Sequence, residues 1–335
     1  MIQTSEWVSA GHPDKMADAI VSYLLDHQLK RDPDARFAME CLLKDRYVTL
    51  AGEITSKAPL SDARIACLVE DALDKLGYTR KYIGDWMGSY YNYGPLVRAT
   101  VSDQSPDIAK GVDAGGWGDQ GIFWGLAVDD PEHDNLPLDR WLAQKIGQVV
   151  AASGIGGLDV KTLVTVEGGV PVEVVVAVPL QEKKNTRKIR EIVEDFAPSA
   201  RVVVNGTGSF VKHGPFADTG VTGRKLAVDF YGGNCRVGGG CPWGKDPTKA
   251  DVTLNLYARR KALEFMKAHG FKRVECAISC RIGSPDIRIA YFDGNGDQVG
   301  EESESRPPKE VIEELGLDKP VYFDLCTKGL FGNGR

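Results

Sequence analysis

The sequence contains little histidine, no closely paired cysteines and no long hydrophobic run. Its 335 residues include five histidines and seven cysteines, and no two cysteines form a CxxC pair. An odd number of unpaired cysteines is typical of reduced thiols in a cytoplasmic protein. The chain has no apolar run long enough for a membrane span, and its first residues lack the apolar core of a signal peptide. Any chemistry therefore has to come mainly from carboxylates, lysines and arginines.

The composition is that of a globular protein with a mild excess of negative charge. Hydrophobic residues make up 42% of the chain and charged residues 26%, and the formal net charge is −6. A chain of this length can bury a large core and is expected to divide into two or three domains. A net negative charge disfavours binding to nucleic acid or to an anionic membrane, so neither is an expected partner.

Residues 212–251 form a stretch that is rich in both glycine and charge. Glycine costs backbone entropy when it is ordered, but it permits positive φ and close approach of backbone N–H groups to a ligand. Lysines and arginines in this stretch alternate with aspartates. Cations beside such a backbone suit a polyphosphate, and nearby carboxylates suit Mg²⁺. The stretch therefore predicts a phosphate cradle, with the alternative that its glycines only form tight turns between strands.

Two nucleotide-binding motifs are matched incompletely. Residues 239–246 read G-x-x-x-x-G-K-D, so Asp246 stands where a P-loop has Ser or Thr. Asp246 followed by Pro247 is instead typical of a helix N-cap and first helical position. Residues 116–121 match G-x-G-x-x-G but precede a strand-like segment, whereas a dinucleotide-binding fold needs a helix there. We therefore favour a phosphate cradle of a different kind.

The order helix, strand pair, helix is predicted three times. First helices are predicted to begin near residues 14, 138 and 247, and second helices near 61, 187 and 308. The strand pairs between them are 36–43 with 47–54, 162–166 with 172–178, and 273–279 with 286–292. This spacing is that of domain-sized α+β units rather than of a solenoid. We expect an α+β fold in which each unit packs helices on one sheet face and leaves the other face to a partner.

Four motifs together resemble those of S-adenosylmethionine synthetase (methionine adenosyltransferase). They are SAGHPDK at 9–15, GDQG at 118–121, TGRK at 222–225 with YGG at 231–233, and GGG at 238–240 with GKDPTK at 244–249. The resemblance implies three similar α/β-sandwich domains related by a pseudo-threefold axis. It also implies sheets packed at a dimer interface and active sites shared between the subunits of a homodimer, or of a tetramer. The implied divisions are 1–103, a short gating loop at 104–121, 122–213 and 214–335.

The resemblance further implies synthesis of S-adenosylmethionine from ATP and L-methionine in one-carbon metabolism. The methionine sulfur would attack C5′ of ATP, and the released tripolyphosphate would be hydrolysed to pyrophosphate and phosphate. A neutral thioether needs no deprotonation, so the barrier depends on alignment and on stabilising charge on the leaving group. A chain poor in histidine and rich in lysine, arginine and aspartate meets that need.

Roles for individual residues follow from the same resemblance. His12 would face the bridge between C5′ and the triphosphate, Asp159 the ribose, and Phe210 and Ile282 the adenine. The phosphates would be bound by Lys161, Arg224, Lys225, Lys245 and Lys249. The catalytic residues would be His12, Lys161, Arg224, Lys245 and Lys249. Methionine would be positioned by Glu53, Gln104, Asp119 and Asp218. Two Mg²⁺ ions would be held by Asp14 and Asp251, and a K⁺ ion by Glu40.

Several positions depart from the pattern of that family. Val237 and Val252 replace a histidine and an arginine, and Arg281 lies beside the adenine position, where a small residue is usual. The other replacements are Lys212, His213, Pro242 and Trp243. The gating loop and the tail after residue 300 are short, which leaves gating, substrate breadth and tetramer formation open.

Two other functions stay possible for such a sequence. One is a tripolyphosphatase of the same fold that does not bind methionine, and the matched Glu53, Gln104 and Asp218 oppose it. The other is a non-catalytic nucleotide-binding paralogue, which the matched charged residues of the phosphate and metal sites oppose.

Overall fold

The computed structural model describes residues 2–88, 94–104 and 115–331. The strands in these ranges are β1 (Ile2–Val8), β2 (Arg36–Lys44), β3 (Tyr47–Thr55), β4 (Leu96–Ser102), β5 (Gly121–Val128), β6 (Lys161–Glu167), β7 (Val170–Ala177), β8 (Arg201–Val204), β9 (Gly220–Val221), β10 (Arg273–Cys280), β11 (Asp286–Phe292) and β12 (Gln298–Ser305). The α-helices are α1 (Pro13–Arg31), α2 (Asp62–Lys75), α3 (Arg80–Met87), α4 (Leu138–Ala152), α5 (Asn185–Phe196), α6 (Leu226–Asp229), α7 (Ala250–His269), α8 (Pro308–Leu315) and α9 (Tyr322–Lys328). Residues 105–114 of the predicted gating loop lie outside the described ranges.

Three four-stranded sheets are built in the same way around an antiparallel hairpin. Their strand orders are β4-β3-β2-β9, β8-β7-β6-β1 and β12-β11-β10-β5. In each sheet a strand that is distant in sequence pairs antiparallel with the first strand of the hairpin. The α+β class and all three predicted strand pairs are confirmed. The pseudo-threefold axis and the packing of sheets at a dimer interface stay predictions.

The chain exchanges edge strands between the sheets. The N-terminal strand β1 pairs with β6, β5 pairs with β10, and the two-residue β9 pairs with β2. The domain boundaries predicted at residues 103, 121 and 213 stay a prediction. Each of the three strand pairings joins residues that lie on opposite sides of at least one of these boundaries. The exchange matters for the site because β9 and its flanking loops are carried onto β2 and the start of α1.

The first helix of each unit lies against its sheet, and α1 is buried on nearly all sides. The helices begin at Pro13, Leu138 and Ala250, close to the predicted positions. His12 caps α1 and Pro13 occupies its first turn, where proline is well tolerated. The apolar side chains Met16, Ile20 and Leu24 of α1 are fully buried.

The predicted N-cap of α7 is wrong. This helix begins at Ala250, with Lys249 as its N-cap, rather than at Asp246. The Asp246 carboxylate instead accepts a hydrogen bond from the Phe37 backbone N–H at 2.8 Å and pairs with the Lys249 ammonium. Asp246 therefore fastens the loop before α7 to β2.

Several short elements have no counterpart in the predicted pattern. These are α3, α9, β4, β8, β9 and β12. The sequence QVGEESES of β12 is almost entirely polar, because this strand lies at a sheet edge. In the described part of the chain, no helix combines the length and the apolar character needed to cross a membrane. All seven cysteines are free.

Candidate active site

A first group of predicted residues gathers at the N-terminus of α1. The His12 Nδ1 accepts a hydrogen bond from the Asp14 backbone N–H at 3.2 Å. The buried Asp14 carboxylate accepts one from the Val221 N–H at 3.0 Å and pairs with the Lys225 ammonium at 2.6 Å. The Arg224 guanidinium lies 3.7 Å from the same carboxylate. Asp14 therefore links α1 to the TGRK loop that β9 carries into place.

Two opposing effects act on the Asp14 carboxyl. Burial would raise its pKa, but the hydrogen bonds from Lys225 and from the Val221 backbone hold the pKa below its ordinary value. Asp14 is therefore an anion at neutral pH. An ionised carboxylate is the kind of oxygen ligand that Mg²⁺ prefers, whereas the helix N-terminus and the two cationic side chains beside it suit anions such as phosphates.

His12 is neutral at physiological pH. Burial and the neighbouring charges of Lys225 and Lys161 together lower its pKa to about 4, and the charges of Asp14 and Asp218 oppose them. Because Nδ1 accepts a hydrogen bond from the backbone, the single proton of the neutral ring must sit on Nε2. The ring therefore offers one N–H donor beside two lysines, at the end of a helix whose dipole favours anions.

Asp159, in the loop before β6, and Lys161, the first residue of β6, approach this group. The Asp159 carboxylate accepts a hydrogen bond from the Gly214 N–H at 2.9 Å. Burial raises the pKa of Asp159 to about 6, against the Gly214 hydrogen bond, and the charges of Asp218 and Asp14 raise it too. The half-exposed Lys161 ammonium pairs with Glu6 on β1 at 2.7 Å.

Two further predicted residues of the first group lie on the loop that follows β8. The carbonyl of Phe210 accepts a hydrogen bond from the Leu180 N–H at 2.8 Å. The Asp218 backbone N–H donates to the Gly214 carbonyl at 3.0 Å, and its side chain is exposed. Both residues thus flank the hydrogen bond that joins Gly214 to Asp159.

A second group forms where the GKDPTK loop crosses β2. The Lys245 ammonium pairs with the Asp251 carboxylate at 2.6 Å, and the Gly240 N–H donates to the other oxygen of Asp251 at 2.6 Å. Lys245 forms an isolated β-bridge with Ala38 of β2. Lys249, predicted to bind phosphate, is paired with Asp246 at 2.6 Å in this structure.

Asp119 and Ile282 lie on the far side of the second group. The Cys280 thiol donates to the Asp119 carbonyl at 3.3 Å. Burial raises the pKa of Cys280 to about 12, and the charges of Asp119 and Asp251 both contribute. Ile282, half-exposed, forms a parallel bridge with Trp117. Asp119 and Asp251 therefore share one neighbourhood.

The first sheet contributes Glu40, Glu53 and Gln104. Glu53 is exposed on β3 and lies opposite Ala38, the residue that bridges to Lys245. The Gln104 backbone N–H donates to the Thr55 hydroxyl at 2.8 Å, whereas its buried side-chain Oε1 has no hydrogen-bond partner among the described residues. A buried amide oxygen without a partner is costly, so this atom is available to a polar ligand.

The two groups meet through residues 220–225. Thr222 donates its hydroxyl hydrogen to Glu40 and accepts from the Cys41 N–H at 3.2 Å, while the adjacent Val221 N–H donates to Asp14. One chain therefore brings the predicted residues together in two neighbouring groups. The first group contains His12, Asp14, Asp159, Lys161, Phe210, Asp218, Arg224 and Lys225. The second contains Glu40, Glu53, Asp119, Lys245, Lys249, Asp251 and Ile282, with Gln104 at the end of the first sheet.

Sequence reasoning missed several supporting residues. Lys15 of the SAGHPDK motif is buried, pairs with Asp229 at 2.6 Å and lies over the Trp243 ring, so it holds α1 in place. Thr222 and Glu6 hold two predicted residues in position. Trp243 departs from the family pattern in the sequence, but only the folded structure shows that its ring contacts Lys15.

Comparisons with known proteins agree with this arrangement. Family models for the N-terminal and C-terminal domains of S-adenosylmethionine synthetase match residues 1–104 and 212–335. The chain is 35% identical to the S-adenosylmethionine synthase of Zymomonas mobilis, over 98% of this chain and 92% of that protein. The chain belongs to the S-adenosylmethionine synthetase family. As a member of that family it is an enzyme, a methionine adenosyltransferase.

Two further relatives extend the comparison. The S-adenosylmethionine synthase of Desulforudis audaxviator is 35% identical over 99% of this chain and 93% of that protein. A structure described as that of an unusual S-adenosylmethionine synthetase from Campylobacter jejuni superposes with a TM-score of 0.86 at 28% identity, covering 99% of this chain and 95% of that one. The similarity therefore includes both groups of site residues.

The raised pKa of Asp159 predicts a pH-dependent stability. Because its folded pKa of about 6 exceeds the unfolded value, the folded protein holds this proton more tightly, and that advantage is lost as pH rises through 6. Asp159→Asn cannot ionise but can still accept from Gly214. We expect its unfolding free energy to rise relative to wild type by about 1–3 kcal/mol between pH ~4 and ~7.5.

Chemical denaturation at both pH values measures this difference. Asp34→Asn is the matched control at an exposed position. A difference between Asp159→Asn and wild type that stays constant with pH would contradict the assignment.

Proposed function

We propose that the protein transfers the adenosyl group of ATP to the sulfur of L-methionine and then hydrolyses the released tripolyphosphate to pyrophosphate and phosphate. The observation that carries this proposal is the neutral His12, whose Nε2–H lies at the N-terminus of α1 near Lys161 and Lys225. A fixed donor beside two cations stabilises negative charge that develops on a leaving oxygen. Attack by a thioether needs no general base, and His12 with its single donor supplies none.

The lysines and arginine of the two groups are suited to a triphosphate. Lys161, Arg224 and Lys225 belong to the first group, and Lys245 and Lys249 to the second. The N–H of Gly240 and the N-terminus of α7 add backbone donors beside Lys245. Such a set binds a chain of phosphates along its length, because each ammonium or guanidinium can pair with a different oxygen.

The residues present also fit the metal ions that the family implies. Among the described residues, no three His, Cys, Asp or Glu side chains are close enough to hold a metal ion by themselves. Mg²⁺ is usually bound by one or two carboxylates together with substrate phosphates, so Asp14 and Asp251 suffice as one protein ligand each. Glu40 and the Thr222 hydroxyl offer oxygen ligands to K⁺. When bound, Mg²⁺ would neutralise charge on the phosphates.

Methionine and adenosine would contact the remaining polar and apolar side chains of the two groups. Glu53, Gln104, Asp119 and Asp218 would position methionine, and the unpaired Oε1 of Gln104 is an acceptor available to an ammonium group. Phe210 and Ile282 would border adenine, with Asp159 at the ribose. We also propose a cytoplasmic location, which the seven free thiols support.

A homodimer would complete the site. The outer face of the first sheet exposes Leu42, Tyr47 and Leu96, and that of the third sheet exposes Ile122. Exposed apolar side chains on open sheet faces favour association with a second copy. We propose that the first group of one subunit faces the second group of its partner across these sheets.

Product detection tests the reaction. The protein is incubated with ATP, methionine, Mg²⁺ and K⁺, and S-adenosylmethionine is measured by mass spectrometry alongside phosphate release. We expect the sulfonium product in equal amount to pyrophosphate. Phosphate without sulfonium would favour the tripolyphosphatase, and ATP binding without turnover would favour the non-catalytic paralogue.

Lys245→Ala tests the second group. Removing one charge-stabilising donor is expected to lower kcat roughly 10²–10³-fold while the protein stays folded. Lys309→Ala on α8, at an exposed position, is the matched control. Circular dichroism checks folding, and near-normal turnover of the Lys245 variant would refute its role.

Mixed dimers test the shared site. Neither His12→Ala nor Lys245→Ala chains alone should be active. Co-expression should restore about a quarter of wild-type activity, because half of randomly paired dimers then contain one intact site. If each site lies within one chain, mixing restores nothing.

A further inference from the structure

His213 is a buried histidine to which the proposed chemistry gives no role. Its side chain is 1% exposed and lies in a cluster of rings, with centroids 5.0 Å from Trp86, 5.8 Å from Tyr82 and 6.3 Å from Tyr78. We call these four residues the aromatic cluster. Tyr82 and Trp86 come from α3, a helix absent from the predicted pattern.

The aromatic cluster contains a continuous chain of hydrogen bonds. The Leu158 backbone N–H donates to the Tyr82 hydroxyl at 2.8 Å, and that hydroxyl lies 2.7 Å from His213 Nε2. His213 Nδ1 lies 2.6 Å from the Val211 carbonyl, which can only accept. Nδ1 must therefore carry the proton, and Nε2 must accept from Tyr82. We call this chain of four groups the relay.

The relay requires a neutral His213. Burial lowers the pKa of His213 to about 4, although the hydrogen bond to the Val211 carbonyl opposes this. A protonated ring would carry a hydrogen on Nε2 and could not accept from Tyr82. At neutral pH each donor of the relay thus faces one acceptor, which fixes the tautomer of His213 and the direction of every hydrogen bond.

The relay adjoins the first group of site residues at two points. Leu158 precedes Asp159, and His213 precedes Gly214, whose N–H donates to the Asp159 carboxylate at 2.9 Å. The relay and this bond therefore close a ring around two chain segments. A third segment is attached by the Tyr78 hydroxyl, which donates to the Gly11 carbonyl at 2.7 Å, next to His12.

The packing leaves the two segments little freedom to move away from the cluster. A Cβ on Gly157 would lie 2.8 Å from the His213 ring. Gly214 has a φ of +59°, and its Cβ would lie 2.3 Å from the Tyr78 hydroxyl oxygen. Because the backbone is pressed against these rings, a change in the relay is transmitted to Asp159 rather than absorbed locally.

We infer that Tyr82 and His213 are positioning residues for nucleotide binding, which act by fixing the Asp159 carboxylate where the proposed function places the ribose. Neither side chain needs to touch the nucleotide. The inference rests on the proposed role of Asp159 in binding the ribose. It goes beyond that role because it makes ribose recognition by Asp159 depend on Tyr82 and His213, which lie behind the site.

Two variants remove the relay with little change in volume. Tyr82→Phe deletes only the hydroxyl, and His213→Leu deletes the acceptor. In each we expect KM for ATP to rise about tenfold, because a small displacement of a binding group has a large effect on a positioned ligand. KM for methionine should change less than twofold, and the preference for ATP over 2′- or 3′-deoxy-ATP should fall. Steady-state kinetics with each nucleotide measures all three quantities.

Two further variants separate positioning from mere support of the fold. His213→Gln places an amide oxygen near the position of Nε2 and should recover most of the ATP affinity lost in His213→Leu. Tyr23→Phe, at a ring that packs edge-on against Phe323 away from the site, should behave as wild type. Equal kinetics in Tyr82→Phe and wild type, or equal losses in His213→Gln and His213→Leu, would overturn the inference. A fall in melting temperature and kcat with no change in KM for ATP would overturn it as well.

Failure of the proposed function would look different. If the wild-type protein forms no S-adenosylmethionine, the Kd of a non-hydrolysable ATP analogue still tests the relay by calorimetry. Weaker binding in Tyr82→Phe would then uphold the relay while the proposed reaction fails. An unchanged Kd in Tyr82→Phe would overturn the positioning role inferred for the relay and would not bear on the proposed reaction. If wild type shows no preference for ATP over the deoxy nucleotides, Asp159 does not recognise the ribose and the inference fails with it.

Discussion

The site depends on how residues 220–225 are held between α1 and β2. Backbone N–H groups of Val221 and Gly223 donate to Asp14 and Asp18, two carboxylates one helical turn apart on α1. On the other side the Thr222 N–H donates to the Cys41 carbonyl at 3.0 Å. This peptide is held on both sides, by a charge-assisted hydrogen bond to Asp14 on α1 and by a neutral backbone hydrogen bond to β2, so it has little freedom. Arg224 and Lys225 therefore emerge from it in fixed directions, beside Asp14.

Two glycines make this arrangement possible by allowing close contact. A Cβ on Gly220 would lie 2.1 Å from the Pro13 carbonyl oxygen, at the first turn of α1. A Cβ on Gly244, where φ is +69°, would lie 2.4 Å from the Met39 carbonyl oxygen on β2. Gly220 and Gly244, two of the glycines that suggested a phosphate cradle, thus allow their loops to lie against helix α1 and strand β2. Gly240, whose N–H donates to Asp251, fits the original interpretation.

Local patterns predicted the helices and hairpins well, because their apolar periodicity and turn residues are continuous in sequence. Helix α4 begins at Leu138, and α2 begins at Asp62 after its cap Ser61, both at the predicted positions. Nothing local indicates that β1 pairs with β6 or that β9 pairs with β2, since these pairings join residues more than 150 positions apart. For the same reason, the motifs named candidate site residues but did not indicate that the fold divides them into two groups, and the roles of these residues stay predictions. Asp246 shows how a tertiary contact adds to a local one, because its carboxylate accepts from the Thr248 N–H at 3.1 Å and also from the Phe37 N–H of β2.

The charge balance within the two groups explains how such a site can stay folded before it binds a polyphosphate. Asp14 and Asp251 would repel other carboxylates and lose hydration if they stood alone in partly buried positions. Each is instead paired with a lysine at 2.6 Å, Lys225 in one group and Lys245 in the other. On binding magnesium and a polyphosphate, each carboxylate would exchange its lysine for a metal ion, and each lysine would exchange its carboxylate for a phosphate oxygen. Each charge would have a partner in both states, so the new pairs with magnesium and phosphate would offset the ion pairs that binding breaks.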